Sequence, residues 1–123
     1  MSEVVSKLEK IVQMINETPK ARQVFVTNKA GKDVYWDMIF QFNLKDQDSF
    51  YLQIYDAAGK LHEGHSDNPD IIMSGNPEAI IKICKGQGDF THAISREEIT
   101  VEQGKVMEVI RLTRAITSAL KAQ

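Results

Sequence analysis

Apolar side chains return every three or four positions along the start of the chain: Val4, Val5, Leu8, Ile11, Val12 and Ile15. That spacing predicts an amphipathic helix with one core-facing stripe, too short for a coiled coil. Thr18 followed by Pro19 has the form of a helix N-cap with proline in the first turn. A second helix is therefore expected from 19 to about 28, ending near Ala30-Gly31.

The period then changes to two. Val34, Trp36, Met38, Phe40, Phe42 and Leu44 alternate with Tyr35, Asp37, Gln41 and Asn43, and only Ile39 interrupts the polar row. This predicts one strand over 34–44 with a single buried face. After a charged turn, Phe50, Leu52 and Ile54 alternate with Tyr51, Gln53 and Tyr55 as a second strand. Ala57-Ala58-Gly59-Lys60 reads as a turn into a third strand over 61–65, completing an antiparallel meander. A fourth strand is expected over 70–74. In Asn76-Pro77-Glu78 asparagine caps a helix, proline fills its first turn and glutamate meets the positive end of its dipole. That helix stops at Lys85-Gly86, and a short helix over 89–96 and a last strand over 99–102 follow. Beyond Gly104 a final helix carries Val106, Val109, Ile110, Thr113, Ile116 and Leu120. The order fits an α+β fold, with an antiparallel-to-mixed sheet and helices packed on one face.

With 123 residues and no linker or repeat, the chain is expected to form one domain, 1–123. Fifteen basic residues against 17 acidic ones give a net charge of −2, without the basic face of a nucleic-acid binder or a polybasic membrane-surface protein. No apolar run approaches the roughly 20 residues needed to span a bilayer, so no stable membrane insertion is expected. One cysteine, Cys84, and an N-terminus without a signal pattern point to the cytoplasm. The Asn16-Glu17-Thr18 sequon is then incidental.

Catalytic motifs fail on inspection. There is no nucleophile elbow, phosphate-binding P-loop or H-E-x-x-H helix, and Gly86-Gln87-Gly88 follows a helix and lacks the third glycine of a dinucleotide loop. No catalytic residue and no cofactor are assigned. Cys84, among isoleucines, reads as core filler. His62-Glu63-Gly64-His65 with Asp67 and Asp70 is the only ligand-like cluster. Residues three apart in a strand point to opposite faces, so it reads as a solvated edge strand, with no metal assigned. His92 reads as a surface or capping residue. Arg111, Arg114 and Lys121 are expected towards the end of the last helix, complementing its dipole or, on a sharper reading, meeting a phosphate-bearing headgroup.

The aromatic residues are more informative. Trp36, Phe40, Phe42 and Phe50 share the inward face with Met38, Met73 and Met107. Each alone is core, but together they are generous for one thin layer, and methionines let an interior repack around apolar guests. Met107 and Leu112 extend the apolar surface of the last helix, where they would close a tunnel or meet a second subunit in a homodimer. A small enzyme on an apolar substrate would need a buried carboxylate or tyrosine, but the nearest candidates, Asp37 and Tyr35, fall on the outward face. A regulatory or assembly module, its interior filled by its own side chains, uses the same residue types.

Several strings, in this order, resemble the sterol-carrier-protein type-2 (lipid-transfer) domain family over about 35–110. They are Phe40-Gln41-Phe42-Asn43-Leu44, Phe50-Tyr51-Leu52-Gln53-Ile54, Gly59-Lys60-Leu61, Gly64, and Asn68-Pro69-Asp70-Ile71-Ile72-Met73-Ser74-Gly75. The segments 79–86, 88–94 and Ile99-Thr100-Val101 follow at the family's spacing. Glu97-Glu98 stands where family members commonly carry Gly-Lys, and Gly104 falls about one residue late. The resemblance implies a stand-alone, prokaryotic-type member with a five-stranded mixed sheet, helices over one face and an apolar tunnel between them. It implies a non-enzymatic carrier of a lipid, such as a fatty acid or fatty acyl-CoA. The residues expected to line the tunnel from the sheet are Trp36, Met38, Phe40, Phe42, Leu52, Ile54 and Met73. Those covering it are Ile80, Ile83, Phe90, Ile94, Met107 and Ile110.

Overall fold

The computed structural model describes residues 3–122, so both ends of the expected 1–123 domain lie outside the described residues. Helix α1 (Glu3–Asn16) buries the predicted stripe of Val4, Leu8, Ile11, Val12 and Ile15. Proline opens α2 (Pro19–Gln23), but this helix is far shorter than predicted. The chain instead forms a hairpin of β1 (Val26–Lys29) and β2 (Lys32–Tyr35). Ala30 and Gly31 both have positive φ, 52° and 82°, and form its two-residue turn rather than a helix end. Two left-handed residues in succession twist in the sense that paired strands require.

The single strand predicted over 34–44 is thus two. β2 pairs only with β1, and the Trp36 amide donates to the Phe25 carbonyl at 2.8 Å before β3 (Met38–Leu44) begins. β3 is the centre of a five-stranded mixed sheet with β4 (Phe50–Tyr55), β5 (Ala58–Glu63), β6 (Ile71–Gly75) and β7 (Ile99–Gln103). Its spatial order is β5-β4-β3-β6-β7, with β3 and β6 parallel and the other pairs antiparallel. The register aligns Leu61, Leu52, Phe40 and Ile71 in one row across four strands. Phe50, Phe42, Met73 and Val101 form a neighbouring row.

The third strand starts earlier than predicted, because the turn is Asp56-Ala57 and Gly59 lies inside β5. A Cβ on Gly59 would sit 3.1 Å from Val12 Cγ1, so this glycine lets α1 close over the sheet edge. Helix α3 (Pro77–Cys84) begins as predicted, with the Asn76 side chain accepting from the Glu78 amide at 3.0 Å. Helix α4 (Phe90–Ser95) is capped by Asp89, and α5 (Val106–Lys121) closes the chain against α1, α2 and α4.

Candidate functional site

Alternation along the strands sends one side-chain set of the sheet inward. Phe40, Phe42, Leu52, Ile54 and Met73 are fully buried there, and Met38 nearly so. From the helical side Ile80, Ile83 and Phe90 are buried and Ile94 is half-buried. These residues belong to, or pack against, one continuous apolar core. Phe42 and Phe50 stack with ring centroids 5.0 Å apart. Clefts among the described residues open on the surface, one of them reaching Phe50 at the edge of this layer.

Of the clefts that flank α5, two have large apolar side chains in their walls. One, of about 360 Å³, has Trp36, Met107 and Ile110 in its wall, with Lys105, Glu108, Arg111 and Arg114 around them. The other, of about 230 Å³, runs between Ile83 and Gly86 on one side and Ile116 and Leu120 on the other. Trp36 is half-buried. It stacks on Phe25 at 5.8 Å and meets the edge of Phe40 at 5.7 Å, linking the first cleft to the aromatic interior.

Met107 departs from the predicted inward face. It is 73% exposed at the rim of this cleft, because α5 starts at Val106 and its buried stripe is Val109, Leu112, Ala115, Ile116 and Ala119. Ile110 is half-buried beside that stripe.

Arg111 also departs from expectation. It lies in the first half of α5, not towards the end where it would complement the negative pole. Its Nε donates to the Val24 carbonyl at 2.6 Å and its Nη2 to Thr27 Oγ1 at 2.8 Å, while the guanidinium lies 4.6 Å above the Trp36 ring. Burial pushes this guanidinium below its ordinary pKa, and the neighbouring Arg114 charge adds to the shift; Glu108 partly offsets it.

The remaining candidates scatter. His62 stacks on Tyr51 at 4.8 Å on the outer face of the sheet, and its Nε2 meets Gln53 Oε1 at 3.2 Å. The Asp70 carboxylate accepts from the Ile39 amide at 2.8 Å, a structural tie between β3 and β6, and His65 is exposed. Among the described residues no group of three His, Cys, Asp or Glu stands where it would hold a metal. His92 is exposed, and Asp89 Oδ1 accepts from its amide at 2.8 Å and meets its ring at 2.9 Å. That amide bond is the main reason Asp89 titrates below its ordinary value. Asp37 and Tyr35 are exposed, away from the interior. Cys84 is buried, and burial raises its thiol to about 12, partly countered by Lys7.

Sequence reading missed Phe25 as the support for Trp36, since it placed Phe25 within a helix. The β-favouring run Val24-Phe25-Val26-Thr27 was the available signal.

A model of the SCP-2 sterol transfer family matches residues 20–116. The chain belongs to this family, one of lipid-binding and lipid-transfer proteins. Among solved structures, the UbiJ-SCP2 ubiquinone synthesis protein is similar with a TM-score of 0.69 at 15% identity, covering 94% of this chain and 95% of that one. A conserved hypothetical protein from Thermus thermophilus, described as possibly a sterol carrier protein, gives 0.65 at 14% identity over 98% of this chain and 84% of its own. Palmitated SCP2L2 from Aedes aegypti gives 0.58 at 18% identity over 89% and 93%. At such identities these likenesses show the fold. A search of curated proteins found no significant match. Among the described residues no helix is long and apolar enough to cross a membrane.

Proposed function

We propose that this chain is a non-enzymatic carrier of an apolar lipid, and that residues 1–123 act as one ligand-binding domain. The observation that carries this reading is the aromatic and methionine layer running inward from Trp36 through Phe40, Phe42 and Met73. Its ligand class is a fatty acid or fatty acyl-CoA, in keeping with the palmitate named for the Aedes aegypti relative. The acyl chain lodges between sheet and helices when the layer parts along the clefts flanking α5. Trp36, Met38, Phe40, Phe42, Leu52, Ile54 and Met73 line it from below, and Ile80, Ile83, Phe90, Ile94, Met107 and Ile110 from above. Apolar burial at about 0.8 kcal/mol per methylene supplies the affinity.

The exposed positions of Asp37 and Tyr35 count against an enzyme, which would need one of them buried beside its substrate. The deep burial of these side chains also suits one other reading, a ligand-free assembly module. Native mass spectrometry of gently purified protein, before and after solvent extraction, separates the two. A stoichiometric lipid adduct lost on extraction supports the carrier. Bare protein that also takes up no added long-chain fatty acid supports the module.

A further inference from the structure

We infer that the cleft over Trp36 holds the anionic headgroup of the carried lipid, a carboxylate or a phosphate monoester, between Arg111 and Arg114. This rests on the lipid-carrier reading and adds the place where the headgroup sits and the residues that hold it.

The cleft gathers three cations, Lys105, Arg111 and Arg114, against one carboxylate, Glu108. Among the described residues no carboxylate lies within ion-pair distance of either arginine; the one pair found is His92 with Asp89. Arg111 is half-buried and fixed by its bonds to Val24 and Thr27, which leave Nη1 without an acceptor among the described residues. A half-buried guanidinium beside a second one, with the Glu108 carboxylate offsetting them only in part and no ion pair formed, is costly in the empty protein. An anion between them relieves both costs and takes the paired N–H geometry that guanidinium offers to carboxylate and phosphate oxygens. A neutral or cationic headgroup has no such partner.

The apolar half of the cleft suits the start of the tail. Met107 stands exposed in the cleft wall with half-buried Ile110, and the Trp36 ring contacts Arg111 as well as fully buried Phe25 and Phe40. A headgroup on the arginines therefore leaves its first methylenes against Trp36.

The test titrates the full chain with dodecanoate, dodecyl phosphate, dodecanol and inorganic phosphate, following emission of Trp36, the only tryptophan. Arg111→Ala would also release β1, so the informative variant is Arg114→Gln, at an exposed side chain with no hydrogen bond to a described residue. One or both anionic amphiphiles are expected to bind at least tenfold tighter than dodecanol, the size of one charge-assisted hydrogen bond. Arg114→Gln should narrow that ratio to within about threefold, and the tighter anion identifies the headgroup. Equal binding of acid, phosphate and alcohol, or a ratio unmoved by Arg114→Gln, overturns the headgroup site while leaving lipid carriage intact. If no amphiphile binds, lipid carriage fails and the headgroup assignment with it. An Arg114-dependent response to inorganic phosphate would then mark a free-anion site instead.

Discussion

Asn16 and Gly59 exchange both hydrogen bonds that a primary amide can make with one residue. Asn16 Nδ2 donates to the Gly59 carbonyl at 2.9 Å, and the Gly59 amide donates to Asn16 Oδ1 at 2.8 Å. The last residue of α1 thereby pairs the backbone of one residue on the outer edge of β5, the kind of edge otherwise open to association. Asn16→Ala removes both bonds, at about 1 kcal/mol each. A loss of about 2 kcal/mol in urea unfolding is expected, with more self-association at high concentration.

Glycine is required at some turns and only convenient at others. Gly75 has φ +133°, and a methyl group there would press into the Glu98 carbonyl oxygen. At Gly104, φ +97°, it would stand 2.7 Å from Ile71 Cγ1 and 2.8 Å from the Asp70 carbonyl oxygen. Gly31 has φ +82° with open space around it. Gly31→Ala should therefore cost only the left-handed penalty of about 1 kcal/mol, and Gly75→Ala and Gly104→Ala clearly more than about 2 kcal/mol each. Thermal melts of the three variants provide the comparison.

Gln41 is a buried amide on the outer face of the central strand, 2% exposed. Its Nε2 donates to the carbonyls of Phe50 at 3.1 Å and Gly64 at 3.2 Å, and its Oε1 accepts from the Ser66 amide at 2.8 Å. It fastens the link between β5 and β6 to β3. Gln41→Leu strands these backbone groups, so a loss of about 2–4 kcal/mol is expected in chemical unfolding.

Cys84 gives a pH signature. Its folded pKa, about 12, lies above the ordinary value of 9.0, so folding favours the neutral thiol. The sign follows: its stabilising contribution is complete below about pH 9 and is lost as pH rises towards 12. Cys84→Ala should show a shallower alkaline fall in stability between those values than the parent chain. Alkylation at pH 8.5 should reach the parent thiol only after denaturant is added.

Much of the fold was legible because the sheet alternates cleanly. Phe40 to Leu44 and Phe50 to Ile54 announced their strands and inner face, and Asn76-Pro77-Glu78 announced α3. The β1–β2 hairpin was not legible for two reasons. Alternation runs unbroken from Val34 through Trp36 to Met38, so period alone cannot separate two strands that meet in phase. Ala30-Gly31 also carries the left-handed signature shared by helix ends and hairpin turns. With the hairpin went Phe25, and with it the support of the candidate site. The Arg111–Trp36 stack joins residues far apart in sequence, and no local pattern reports it.

The most direct measurement of lipid carriage is the affinity of the chain for a series of fatty acids lengthened two carbons at a time, read from Trp36 emission at constant ionic strength. Burial of the tail in the interior predicts affinity rising about fourfold per methylene, the equivalent of 0.8 kcal/mol, until the interior is filled. Affinity that stays flat with chain length would contradict the carrier, because the tail would then lie outside the protein.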